Sequence, residues 1–313
     1  AFPSKTFPNH YTIVTGLYPE HHGIVSNTMY DPELNARFRI GDRAAVEDSR
    51  WWGGEPLWVT AQQQGRISAT YFWVGSETEI LGVRPAYWKR YEHDTPNSAR
   101  VAQVLAWLDL PKPQRPTLIT LYFSIIDDLG HEFGPDSPEL SQAITAIDSV
   151  IGELVHGLAA RDILKRVNLI VVSDHGMAAT SAERVIYLDD YLDLQQVEVI
   201  DWTPVLALLP RPGQEEAVYQ KLKGAHPHLL VYRKAEIPER FHFRRHRRMP
   251  SMRATFIAHG PAFKTKLRAA PFQNIHVYDL VCEILRLRPA PNDGSLDSVR
   301  TMLKEQPAKM RGK

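Results

Sequence analysis

The chain has 313 residues, 43% of them hydrophobic, and sets 37 basic against 36 acidic side chains for a formal net charge of +1. That length supports one large α/β domain with a sizeable core, and the balanced charge gives no reason to expect a nucleic-acid or membrane surface. No window approaches the ~18 consecutive apolar residues of a transmembrane helix, and a single cysteine, Cys282, excludes an internal disulfide framework.

The chain opens inside a dense motif, Ser4-Lys5-Thr6-Phe7-Pro8-Asn9-His10-Tyr11. Neither a signal peptide nor a Met precedes it, so a further segment upstream is expected. Pro8 followed by TIVTG predicts a short helix ending near Gly16. A hydroxyl at its N-terminus, that of Thr6, would sit where backbone N–H groups and the helix dipole favour anions. The plainer role for Thr6 is an ordinary N-cap.

Residues 51–91 are aromatic and rich in Gly and Pro (WWGGEPLW, then YFWVGSETEILGVRPAYWKRY). They read as long loops or a cap beside a site, spanning about 40–95, rather than as plain core. Apolar runs at 67–73, 117–126, 167–173, 228–232 and 254–258 predict strands. Helical patterns lie between them. The clearest begins at Ser137-Pro138-Glu139, with Ser as N-cap and Pro in the first helical position. It continues with Leu140, Ile144, Ile147, Ile151, Leu154 and Leu158 on one face. Strands alternating with helices predict an α/β fold with a mainly parallel sheet and helices on both faces.

Two short pairs carry the chemistry. Asp127 and His131 follow the run at 117–126, and Gly130 between them permits a tight turn that could aim both at one ion. Asp174 and His175 follow the run at 167–173. Open α/β sheets bind ligands at the carboxyl ends of their strands. Two Asp/His pairs at that edge are a natural way to build a zinc site from oxygen and nitrogen donors. Either pair alone also fits a capped loop with a satisfied histidine. Further on, Arg244-Arg245-His246-Arg247-Arg248 is the one concentrated basic patch, expected to be a solvated surface loop, or else a phosphate-attracting one. Cys282, in VYDLVCEIL, is expected to be a buried small hydrophobe.

Six segments in order, KTFPNHYTIVTGLYPEHHGIVSN, WWGGEPLWVTAQQQG, FWVGSE, DDLGHEFGP, SDHGM and MRATFIAHGPAF, resemble the nucleotide pyrophosphatase/phosphodiesterase family of the alkaline phosphatase superfamily. The resemblance covers nearly the whole chain. It implies one catalytic domain over 1–313 with an alkaline-phosphatase-like core, a pair of zinc ions, and hydrolysis of nucleotide phosphodiester or pyrophosphate bonds. Thr6 falls on the family's nucleophile, which ligates one zinc and is transiently nucleotidylated. Asp174 and His175 fall on ligands of that zinc, and Asp127 and His131 on ligands of the other. Asn27 matches a residue that hydrogen-bonds a phosphoryl oxygen, helped by the N–H of Phe7. The rings of Phe7 and Tyr91 match a pair that sandwiches the nucleobase, with Tyr87 and Trp88 as rivals to Tyr91.

The chain also departs from the pattern. An Asp ligand from a strand before the nucleophile and a His ligand from an HGYD-like motif have no counterpart; RRHRR runs straight into MPSMRATF. A loop near 248–250 and an upstream strand therefore read as missing, and neither His259 nor His276 lies in a motif that makes it a substitute. The resemblance implies a periplasmic or secreted protein acting on a nucleotide or another small phosphodiester. The rival readings are a superfamily phosphomonoesterase, a lipid-headgroup phosphodiesterase, and a metal-poor nucleotide-binding protein without turnover.

Overall fold

The computed structural model describes residues 1–182, 185–203, 205–248, 256–259 and 272–304. The opening motif forms α1 (Thr6–Thr15), which stops where Gly16 takes a left-handed conformation (φ 68°) and returns its N–H to the Thr12 carbonyl. Only glycine enters that region without steric cost. Every α1 residue from Pro8 to Thr15 is buried, so this helix lies inside the domain. A short α2 (Pro19–His22) follows, then the antiparallel hairpin of β1 (Thr28–Asp31) and β2 (Ala36–Arg39), and the one-turn α3 (Arg43–Val46) capped by Asp42.

The parallel sheet consists of β3 (Ser68–Tyr71), β4 (Tyr87–Lys89) and β5 (Leu118–Leu121), with β3 central and buried at all four positions. Side chains alternate across a strand. Leu118 accordingly enters one cluster with Tyr11, Val14, Trp58 from α4 (Leu57–Gln63), and Tyr278 from α9 (His276–Leu285). Ala69, Tyr71, Ile119 and Leu121 enter the opposite cluster, against Val101, Val104 and Trp107 of α5 (Asn97–Asp109) and Leu154 and Leu158 of α7 (Pro138–Ala160). The expected parallel sheet with helices on both faces is present.

Between α5 and α7 lie β5 and α6 (Ile125–Phe133). The strand expected over 117–126 thus ends at Leu121, and Ile125 and Ile126 open a helix instead. Ser137 caps α7 by accepting the Leu140 N–H, as its sequence predicts. Ile144, placed on the apolar face from spacing, is instead 51% exposed, because the neighbouring helices cover only part of that stripe. α7 alone among the described residues is long and apolar enough to cross a membrane, yet it packs on α5 and α6.

β6 (Leu169–Val172) pairs antiparallel with β9 (Phe256–His259) rather than with β5. Between β5 and β6 runs a cavity of about 1120 Å³, largely apolar, lined by both strands and by Val104, Leu154 and Val277 and reaching Asp127, Asp174 and His175. A third unit holds the hairpin of β7 (Val197–Asp201) and β8 (Ala207–Pro210) against α8 (Glu215–Leu222), around Leu188, Leu192, Val197, Val218 and Leu222. No strand forms at 228–232. Leu230 there is 76% exposed; an apolar run without a pairing partner does not become a strand.

Two further expectations change on folding. Trp51, Trp52 and Trp58 are almost completely buried and sit in the main core rather than in a cap. The basic patch is only partly solvated: Arg245 is exposed, while its last two arginines are drawn onto a buried carboxylate. Arg247 and Arg248 both bind the wholly buried Asp31 carboxylate, and the backbone N–H groups of Arg244 and Arg245 donate to Glu20. Arg248 is itself buried over the Trp51 ring, 4.6 Å from its centroid. The junction near 248–250, where a loop reads as missing, falls largely outside the described residues. Cys282 is buried as expected, and burial pushes its thiol up to about 12.

Candidate active site

Thr6 is the first residue of α1, and the N-cap is Lys5, extended (φ −127°, ψ 153°) and without a side-chain capping bond. The Thr6 hydroxyl is therefore not consumed as a cap. It lies at the positive end of the helix, where the Asn9 N–H already bonds the Lys5 carbonyl at 3.1 Å. Its Oγ1 is 3.4 Å from Nε2 of His175. One turn along, His10 donates Nδ1–H to the Thr6 carbonyl at 2.8 Å. Beside them, the Phe7 N–H donates to Asn27 Oδ1 at 3.0 Å. The two groups matched to a phosphoryl oxygen thus bond one another here, and Asn27 keeps its NH₂ as a donor.

Asp127 and His131 are not joined by a turn at Gly130. They stand one helical turn apart on α6, with His131 Nε2 3.5 Å from Asp127 Oδ1. Gly130 lies in the interior of α6 with the end of the Met177 side chain against it, 2.8 Å from where a Cβ would stand. Asp174 and His175 follow β6, and His175 Nε2 lies 3.3 Å from Asp174 Oδ2 and 3.8 Å from Asp127 Oδ1. His175 Nδ1 is 3.0 Å from the Gly176 carbonyl. A carbonyl can only accept, so Nδ1 donates to it, and Nε2 faces Thr6 and both carboxylates. Thr6, Asp127, His131, Asp174 and His175 thus form one continuous set of contacts, although they come from three separate segments.

Burial lifts the Asp127 carboxyl above its ordinary value despite the imidazoles of His175 and His131. Its Oδ1 is buried and accepts no hydrogen bond. Burial acts on Asp174 too, but His10 and His175 outweigh it and hold that carboxyl below its ordinary value. Burial likewise opposes charge on His10, yet Asp174, 3.3 Å from Nδ1, and the Thr6 carbonyl raise it. A carboxylate with an oxygen that accepts no hydrogen bond, a second carboxylate and the His131 and His175 imidazoles make a donor set suited to a cation of mixed oxygen and nitrogen preference. Among the described residues, no three His, Cys, Asp or Glu side chains are arranged as a shell for one ion.

The structure does not bring Phe7 and Tyr91 into contact. Phe7 packs on Phe38 and Trp52, with centroids at 5.7 and 6.1 Å. Tyr91 packs on Phe72 and Tyr122, and its hydroxyl meets His93 Nδ1 at 2.9 Å. His276 accepts the Ser295 N–H at 3.0 Å, a structural bond. His259 lies on β9, and its side chain is outside the described residues. Sequence reasoning passed over His10, which holds Asp174 and the Thr6 carbonyl together; its spacing of one helical turn from Thr6 was a usable signal.

The fold is alkaline-phosphatase-like, as its superposition on solved structures of the family shows. The family model described as type I phosphodiesterase / nucleotide pyrophosphatase matches residues 1–269, and the chain belongs to that family. It is 39% identical to the venom phosphodiesterase of Naja atra over 349 positions, covering 97% of this chain and 41% of that protein. It is also 39% identical to human ectonucleotide pyrophosphatase/phosphodiesterase family member 1, covering 97% of this chain and 37% of the relative. The chain thus spans about two-fifths of the length of these curated relatives. The first alignment is longer than the 313-residue chain, so that relative carries stretches with no counterpart here. Among solved structures, murine ectonucleotide pyrophosphatase/phosphodiesterase 5, an inactive threonine-to-alanine variant in complex with AMP, superposes with a TM-score of 0.92 at 36% identity, covering 97% of this chain and 89% of that one.

Proposed function

We propose that this chain is the catalytic domain of a zinc-dependent phosphodiesterase that cleaves nucleotide phosphodiester or pyrophosphate bonds and releases nucleoside 5′-monophosphates. The observation that carries the reading is the Thr6 hydroxyl at the start of α1, 3.4 Å from His175 Nε2, which is itself 3.8 Å from the Asp127 oxygen that accepts no hydrogen bond. The names of the relatives and the AMP bound by the murine structure support the substrate class.

Asp174, His175 and Thr6 would hold one zinc, and Asp127 and His131 would contribute to a second. Bound there, the ions would acidify the threonine hydroxyl and neutralise charge on the phosphoryl group and the leaving oxygen. Thr6 Oγ1 attacks the phosphorus in line, forming the threonine–phosphorus bond as the leaving oxygen departs. Water then cleaves that bond, restoring Thr6 and releasing the monophosphate. The Asn27 NH₂ holds a non-bridging oxygen through both steps, and the Phe7 N–H holds Asn27 in place for it. Phe7 and Tyr91 stack on the base from opposite sides, a contact tolerant of base identity.

The venom and ecto-enzyme names support an extracytoplasmic location. The metal-poor binding protein is kept as a second reading, because the described side chains do not by themselves form a three-ligand shell. Elemental mass spectrometry and turnover of the p-nitrophenyl ester of thymidine 5′-monophosphate decide between them. Zinc together with p-nitrophenol release supports the enzyme. Nucleotide binding without either supports the binder.

A further inference from the structure

One carboxylate from outside the sheet reaches both segments that carry the candidate nucleophile and its neighbouring donor. Asp201, the last residue of β7, accepts a bond from Lys5 Nζ and another from Ser26 Oγ, both on its Oδ2 atom. Lys5 immediately precedes Thr6, and Ser26 immediately precedes Asn27. The contact is well shielded: the Lys5 and Asp201 side chains are each 11% exposed and Ser26 is 2% exposed. The same strand is held down by a second ion pair, Arg37 of β2 to Glu198 of β7.

We infer that Asp201 is a positioning residue that sets the spacing between Thr6 and Asn27. The inference rests on the roles proposed for those two residues. Thr6 and Asn27 come from a helix start and a loop with no sheet between them. Two links tie these segments: the Phe7 N–H bond to Asn27 Oδ1 and the shared Asp201 oxygen. The first joins the segments directly, and the second stops them rotating about it. Attack on phosphorus and stabilisation of the non-bridging oxygen need both groups aligned at once, and a misplacement of about 1 Å costs on the order of 100-fold in rate. Binding of the nucleotide through its base needs no such alignment. Loss of Asp201 therefore falls on kcat rather than KM.

The test compares Asp201→Ala, Asp201→Asn and Thr6→Ala with the parent chain, reading kcat and KM on the p-nitrophenyl ester, AMP affinity, and the far-ultraviolet circular dichroism melt. Asp201→Ala is expected to lose about 30- to 100-fold in kcat with KM and AMP affinity within about threefold. Asp201→Asn, which keeps an accepting oxygen of the same shape, is expected to recover most of that loss and guards against a folding artefact. An unchanged kcat in Asp201→Ala beside an inactive Thr6→Ala overturns the positioning role alone. A lower KM with unchanged kcat also overturns it, since Asp201 would then only compete with the anionic substrate for Lys5. Full activity in Thr6→Ala overturns the underlying reading and this inference with it.

Discussion

His175 Nε2 lies 3.4 Å from Thr6 Oγ1, although 169 positions separate the two residues in the chain. The contact joins the start of α1 to the loop after β6. On its other side the ring is held by Nδ1, 3.0 Å from the Gly176 carbonyl.

Thr6→Ala removes the attacking oxygen and leaves the helix start intact. Hydrolysis of the p-nitrophenyl ester is expected to fall by about 10³-fold or more, with AMP affinity retained. Steady-state kinetics beside calorimetric titration with AMP check both halves. A serine at the same position is expected to keep part of the rate, since it retains the hydroxyl.

Asp127→Asn removes a carboxylate that burial already holds above its ordinary value. Zinc content is expected to drop by about one ion per chain, and activity with it. Elemental analysis after dialysis reads the first, and zinc titration of the variant shows whether activity returns at high metal concentration. In the parent chain, a chelator is expected to abolish turnover and added zinc to restore it.

Asp31→Asn strikes the ion-pair network that ties the Arg-rich segment to the β1–β2 hairpin. Arg247 Nε lies 2.8 Å from both Asp31 oxygens and Arg248 Nε 2.6 Å from one. Breaking a buried pair from one side leaves a desolvated charge and costs about 3–5 kcal/mol. Burial opposes ionisation of Asp31, but Arg247, the Leu34 N–H and Arg248 outweigh it and hold the carboxyl well below the usual range. Because the folded value is depressed, the stabilisation is complete above the unfolded value of about 4 and is lost as pH falls below it. Urea unfolding at a series of acid pH values should show this limb in the parent chain and not in Asp31→Asn.

His22 carries a second acid limb at higher pH. It accepts the Ile24 N–H on Nδ1 at 3.1 Å and faces Thr12 Oγ1 through Nε2 at 2.9 Å, which specifies the neutral ring. Burial, then His246 and His21, push it well below its ordinary value. The unfolded chain takes up a proton below about pH 6.5 while the folded chain does not, so stability falls as pH drops through that region. His22→Asn is expected to be less stable at neutral pH and to flatten this part of the urea-midpoint profile.

The sequence by itself determined the elements whose signals are local. Ser137 and Pro138 opened α7, Gly16 closed α1, and β-branched runs marked β3, β5 and β6. It also singled out Asp127, His131, Asp174 and His175, which stand in motifs that read as motifs in one dimension and which the fold brings into one set of contacts. What the tertiary structure decided was everything that depends on a partner elsewhere in the chain. The apolar run at 228–232 found none and stayed irregular, while 197–201 and 207–210 found each other and paired. Two arginines of the basic patch, Arg247 and Arg248, are held by Asp31, more than 200 positions away, because a buried carboxylate must be paired. Asp201 reaches Lys5 and Ser26 for the same reason. Helix and turn propensities act over a few residues, whereas burial and charge pairing act through space; only the folded chain brings those distant groups together.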